Sequence, residues 1–176
     1  MRIGYFADGR WAHMALDRIR GLEEVQVGCI VARYESPDPV LKAAADDLGV
    51  PFLVDENVNR EAFRLMIRDL QVDLNVSMSF NQILKRPILE LAPKGFINCH
   101  AGALPFYRGR NVLNWVLING EKRFGVTVHH IDESIDTGDI IEQRFAPIGP
   151  DDDYADLLDR AVELCADTLE SALTAI

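Results

Sequence analysis

The sequence predicts an α/β domain with a mainly parallel sheet flanked by helices, and three observations carry that prediction. Short apolar runs recur between segments of helical periodicity. Glycine or proline marks many of the junctions between them. The chain has 176 residues, 48% of them hydrophobic, enough for one domain with a real core. Strands alternating with helices are joined by right-handed crossovers, which makes the sheet parallel.

Arg2 to Ala7 reads as a buried strand, with Asp8-Gly9-Arg10 as the turn after it. Trp11, Met14, Ala15, Ile19 and Leu22 then follow helical spacing. Val25 to Ala32 is a second buried strand, and Ser36-Pro37-Asp38-Pro39 breaks the chain. Val40 to Leu48 is predicted as a short helix that Gly49 stops. A brief strand, Pro51 to Val54, precedes an amphipathic helix over Asn59 to Leu70. Next come a strand at Val72 to Met78, a short helix at Pro87 to Leu91 and a strand at Gly95 to His100. A loop punctuated by glycine and proline, Ala101 to Arg110, leads to a helix that Asn111 is expected to cap. Strands at Phe124 to Ile131 and Ile140 to Ala146 precede a closing helix, with Asp151-Asp152-Asp153 at its positive end. Without repeats, low-complexity segments or a linker, residues 1–176 read as a single domain.

Composition narrows the function. No apolar run approaches the roughly 20 residues of a membrane span, and the N-terminus lacks a signal peptide pattern. Cys29, Cys99 and Cys165 are odd in number and widely spaced, which suggests reduced thiols and a cytoplasmic protein. The net charge of −10 disfavours a nucleic-acid partner. Arg108 and Arg110 suit a small phosphorylated ligand better. The first βα turn, Ala7-Asp8-Gly9-Arg10-Trp11, lacks the G-x-G-x-x-G of a dinucleotide site. His129 and His130 are adjacent on a strand and face opposite sides, so no metal site is expected there.

Ligands of such sheets bind at the carboxyl ends of strands. Asp8-Gly9, Ser77 to Phe80, and the Asn98 and His100 pair all fall at such ends. Asn98 and His100 are two apart, so a strand points both to one face. Asp136 lies in the turn Ile135-Asp136-Thr137-Gly138. An amide donor, an imidazole and a carboxylate can together handle a proton and a developing oxyanion. Asn98 and His100 alone would read as polar caps on a strand end; the carboxylate and the loop between them raise the catalytic reading above that one.

Asn98-x-His100, Leu104-Pro105, Tyr107-Arg108-Gly109 and Asp136-Thr137-Gly138 together resemble the family of formyltransferases that use 10-formyltetrahydrofolate. The resemblance covers Arg2 to about Ile148 and implies a Rossmann-like formyltransferase domain. The family's loop usually reads H-P-S-L-L-P; here it is His100-Ala101-Gly102-Ala103-Leu104-Pro105. Asp8-Gly9-x-Trp11-Ala12 and the 111–121 segment look most like the sugar-nucleotide branch. The resemblance implies a catalytic set of Asn98, His100 and Asp136. His100 would donate if protonated or accept the amine proton if neutral, and Asp136 would raise its pKa above about 6.5. Phe80, Asn81, Gln82, Ile83 and Leu84 look like the segment that packs on the pteridine. Ile131, Asp132, Glu133 and Ile135 look like the loop that covers its polar edge. Asp8, Gly9, Met78, Tyr107, Arg108 and Arg110 would contact the acceptor.

The leading reading is formylation of a nucleotide-linked amino sugar, with a homodimer as the implied assembly. Glycinamide ribonucleotide formylation, formyltetrahydrofolate hydrolysis and a folate-binding module without turnover are the alternatives. Methionyl-tRNA formylation ranks lower, because the charge is unfavourable for RNA.

Overall fold

The computed structural model describes Met1–Ile176. Its strands are β1 (Arg2–Ala7), β2 (Gln26–Ala32), β3 (Phe52–Val54), β4 (Leu74–Met78), β5 (Phe96–His100), β6 (Arg123–His130) and β7 (Ile140–Pro147). Its helices are α1 (Gly9–Ile19), α2 (Pro39–Leu48), α3 (Glu61–Asp69), α4 (Arg86–Leu89), α5 (Val112–Ile118) and α6 (Tyr154–Ala175). One sheet forms, in the order β3-β2-β1-β4-β5-β6-β7. Strands β1 to β5 pair in parallel, while β6 and β7 join antiparallel. The Rossmann-like α/β prediction therefore holds, with an antiparallel extension at one edge.

Alternation along the strands builds two cores. Ile97 and Cys99 of β5 and Val126 and Val128 of β6 face a cluster that α1 and α6 cover with Ala12, Ala15, Leu16, Ile19, Cys165, Ala166 and Leu169. Small residues on both helices allow close approach. Phe96 faces the other way, into a second cluster with Phe6, Phe63, Ile67, Leu84 and Ile88. Asn98 and His100 share the face of Phe96 by the period of two. The face of β5 that carries Asn98 and His100 thus stands on the aromatic cluster, not on the α1/α6 core.

Two end caps differ from expectation. Asn111 occupies the N-cap position of α5, but its φ is 58° and its side chain makes no capping bond. In that left-handed conformation the side chain does not sit over the first amides of the helix. At α6 the acidic run acts selectively: Asp153 forms a capping box with Asp156. Asp152 instead accepts from the Gly149 amide and pairs with Arg160.

Phe6 ties the second cluster together, with ring centroids 4.8 Å from Phe96, 5.5 Å from Phe80 and 6.4 Å from Phe63, all edge-on. Truncating it leaves a cavity under the face that carries Asn98 and His100. Phe6→Ala should lower unfolding free energy by about 3–5 kcal/mol in urea titrations; a loss below about 1 kcal/mol would show that the cluster does not support the sheet.

Candidate active site

Asp136 is the hub of the site. It sits in the turn after β6 at φ 51°. Its Oδ2 accepts the Gly109 amide at 2.8 Å and lies 3.7 Å from His100 Nδ1. Its Oδ1 lies 3.5 Å from His129 Nε2. Burial pushes the Asp136 carboxyl up, but His129, His100 and the Gly109 amide outweigh it and hold the group below its ordinary range. The carboxylate is therefore ionised at neutral pH.

His100 closes β5 with only 9% of its surface exposed. Its Nε2 donates to the Tyr107 carbonyl at 2.6 Å, because a carbonyl can only accept. That bond assigns the tautomer, leaving a lone pair on Nδ1, the atom that faces Asp136. The loop that supplies the carbonyl is pinned from below. Thr127 Oγ1 donates to Gly102 O at 2.7 Å, and Gln143 Nε2 bridges Thr127 Oγ1 and Leu104 O. Gly102 is required here: a Cβ would lie 2.2 Å from Tyr107 O and 2.4 Å from His100 Nε2. The loop's departure from the usual family motif thus coincides with a close backbone approach to the imidazole.

The expected rise in the His100 pKa is overturned. Burial dominates and pushes it below the ordinary 6.5, and the pull of Asp136 and the Tyr107 carbonyl in the other direction is smaller. At 3.7 Å the carboxylate makes no direct hydrogen bond to Nδ1.

Asn98 joins the cluster through a residue that the sequence reading placed elsewhere. Its Nδ2 lies 3.3 Å from His129 Nε2. β5 and β6 pair Asn98 directly opposite His129, so the two side chains share a face. His129 is 2% exposed while His130 is exposed, as strand alternation requires. The pair was considered from sequence only as metal ligands. The buried polar alternation of Thr127 and His129 was the available signal; the register that sets His129 against Asn98 was not.

The remaining sequence-selected residues divide. Arg108 Nε donates to Ile135 O at 2.7 Å, which ties its loop to the Asp136 turn. Tyr107 OH donates to Glu121 and accepts from Asn119. Arg110 is exposed and makes no hydrogen bond or ion pair. Asp8 pairs with Arg33 at 2.7 Å, and the Gly9 amide donates to Asp38 at 3.0 Å. Met78 is 1% exposed and packs in the α1/α6 core, so its side chain is unavailable to a ligand. Only its carbonyl reaches the strand end, accepting the Asp8 amide.

Of the 80–84 segment, Leu84 is likewise core, at 7% exposure. Gln82 bonds the Val58 amide and the Asp55 carbonyl, and Asn81 bonds Glu35. Ile83 is 73% exposed. Phe80 and Ile131 each pack on the Phe6 cluster, and Ile135 is exposed in the segment after β6. In that loop Asp132 accepts from Ser134 and Thr137, and Glu133 lies close enough to Arg86 to raise its pKa.

Residues 12–173 match the formyl transferase family. The chain belongs to that family. Its members use 10-formyltetrahydrofolate as the formyl donor. The domain is 42% identical over 135 residues to methionyl-tRNA formyltransferase of Geobacter metallireducens, covering 77% of this chain and 43% of that protein. It is 34% identical to the Anaeromyxobacter dehalogenans enzyme of the same name, covering 98% of this chain and 58% of that protein. The chain thus spans about half the length of these curated relatives. Among solved structures, glycinamide ribonucleotide transformylase 1 from Symbiobacterium toebii superposes with a TM-score of 0.84 at 24% identity, covering 98% and 85% of the two chains. A formyltetrahydrofolate deformylase from Pseudomonas syringae gives 0.81 at 20% identity, covering 98% and 58%. These structural likenesses show the fold. The sugar-nucleotide branch is not among the four. No helix of the formyl transferase domain is long and apolar enough to cross a membrane.

The depressed pKa values set a stability trend. As pH falls through the unfolded histidine value of 6.5, the unfolded chain takes up a proton that folded His100 resists, so stability falls. The loss is complete once pH passes below the folded pKa. Asp136 contributes stability above its unfolded value, and that contribution is lost as pH falls through its lower folded pKa. Urea titrations between pH 8 and pH 5 should show wild-type stability declining below about 6.5 and His100→Asn declining less. Equal slopes would remove His100 as a linked group.

Proposed function

We propose that this domain transfers the formyl group of 10-formyltetrahydrofolate to a primary amine on a small acceptor, a nucleotide-linked amino sugar. The observation that carries the transfer reading is the cluster of Asp136, His100, His129 and Asn98 at the end of β5. The donor fits the flanking surface. Ile83 and Ile135 stand exposed, and Phe80 and Ile131 share one apolar bed. A flat heterocycle needs such walls with backbone donors and acceptors nearby. We assign the wall to Phe80, Ile83, Ile131 and Ile135 and the polar edge to the backbone of 131–135. Gln82, Asn81 and Leu84 hold that wall in place.

When bound, the folate supplies an activated formyl carbon. The chain's own groups then divide the work. Asn98 offers its free amide N–H to an oxygen that gains negative charge. His100, neutral because burial keeps it so, accepts the amine proton at Nδ1. Asp136 stabilises the imidazolium that results, whose proton is then available to the folate nitrogen as its bond to the formyl carbon breaks. The tautomer fixed by Tyr107 favours the base role for His100 over the oxyanion role.

The acceptor assignment rests on charge and on the free cation. The turn before α1 is anionic, and its Gly9 amide is already bonded to Asp38. The first amide of a helix N-terminus of the kind that commonly holds phosphate is therefore already bonded to a carboxylate, which weighs against glycinamide ribonucleotide held at that turn. Arg110, next to the Gly109 amide that binds Asp136, is free to meet an acceptor phosphate. The likeness of the 111–121 segment to the sugar-nucleotide branch supports the same reading. Methionyl-tRNA is the second reading, favoured by the 42% identity and opposed by the net charge of −10.

Asn98→Ala should cut turnover about a hundredfold or more while folate affinity is largely kept. Turnover and calorimetric folate binding check this; near-wild-type turnover would remove Asn98 from the reaction. The acceptor is decided by offering nucleotide-linked 3-amino and 4-amino sugars, glycinamide ribonucleotide and methionyl-tRNA with the folate, and reading a formyl adduct by mass. Adduct on an amino sugar supports the proposal; adduct on methionyl-tRNA or glycinamide ribonucleotide alone overturns it.

A further inference from the structure

We infer that His129 is a positioning residue for Asn98: its neutral Nε2 selects which end of the Asn98 amide faces the reaction. The inference rests on the formyl-transfer reading for its consequence, but its geometry stands without it. His129 Nδ1 lies 2.8 Å from the His130 carbonyl, which can only accept, so the ring proton is on Nδ1. In the neutral ring Nε2 is then an acceptor. It faces Asn98 Nδ2 at 3.3 Å, and an amide nitrogen can only donate. The opposite amide rotamer would set Oδ1 against the Nε2 lone pair, two acceptors with no proton between them. The amino end of Asn98 is therefore turned to His129, with one N–H spent there and the second left to donate.

The supports of His129 are themselves close-packed. Gly138 packs on the His130 carbonyl so tightly that a Cβ would fall 1.9 Å from that oxygen. The β6–β7 register shifts between Val128 and His129, a local irregularity of the kind that re-aims side chains beside active sites.

Protonation reverses the selection. A proton on Nε2 turns it into a donor, directed at Asp136 Oδ1 3.5 Å away or at the carbonyl end of Asn98. The amide then flips and the donor is lost. The charged and titratable groups facing His129 are Asp136 and Asp132 from the loop after β6 and His100 from β5.

The test reads Asn98 directly. Its side-chain amide signals, assigned by their loss in Asn98→Ala, are followed by ¹⁵N-edited NMR in wild type, His129→Leu and His129→Gln. Glutamine places an acceptor oxygen where Nε2 was and does not titrate. The shift difference between the two amide protons should shrink in His129→Leu and return in His129→Gln. Wild-type signals should also change as pH is lowered, a readout that stands if His129→Leu fails to fold. In kinetics, His129→Leu should lower kcat on the order of tenfold or more with the folate KM kept, and His129→Gln should restore most of it. Adding His129→Leu to Asn98→Ala should cost nothing further. Unmoved Asn98 signals, or losses that multiply in the double variant, would overturn the inference. Absence of turnover in wild type with every acceptor would count against the formyl-transfer reading and leave the NMR result to decide this one.

Discussion

One half-buried carboxylate organises the site. Asp136 is ionised, so it must be met by hydrogen-bond donors. The Gly109 amide meets that need directly, and the imidazoles of His100 and His129 face it from β5 and β6. These contacts join the loop after β5 to the turn after β6. Arg108 repeats the join through the Ile135 carbonyl. Neither loop can shift without leaving the carboxylate short of a partner, and that keeps the imidazoles and the Asn98 amide in register.

The sheet makes this possible by dividing labour between its faces. Ile97 and Cys99 anchor β5 in the α1/α6 core, while Phe96, Asn98 and His100 emerge on the aromatic side. Burial there has a chemical consequence. It lowers the His100 pKa more than Asp136 raises it, so the imidazole is neutral and can accept a proton. The same burial would be costly for Asp136, and the Gly109 amide that donates to its Oδ2 offsets part of that cost.

Much of this was legible in the sequence. Seven strands are expected from the sequence and seven form, although β7 carries Glu142-Gln143-Arg144 in its middle, and Asn98, His100 and Asp136, singled out from the sequence, lie in one cluster. Three things were not legible. Antiparallel register placed His129 against Asn98, and register depends on strand pairing that one strand's pattern does not encode. The pKa of His100 follows from a balance of burial and charge, and sequence reveals the charge but not the burial. Met78 and Leu84 sit where strand-end and ligand-wall residues were expected, yet turn into the cores; the polypeptide backbone, not the side chain, serves the surface there.

The most direct test of the Asp136-centred account is an NMR titration of the His100 ring in wild type and in Asp136→Asn. The account predicts a wild-type pKa below the ordinary 6.5 and a further fall when the carboxylate charge is removed, with turnover falling in parallel. A wild-type value above 6.5, or a titration and turnover unmoved by Asp136→Asn, would contradict it.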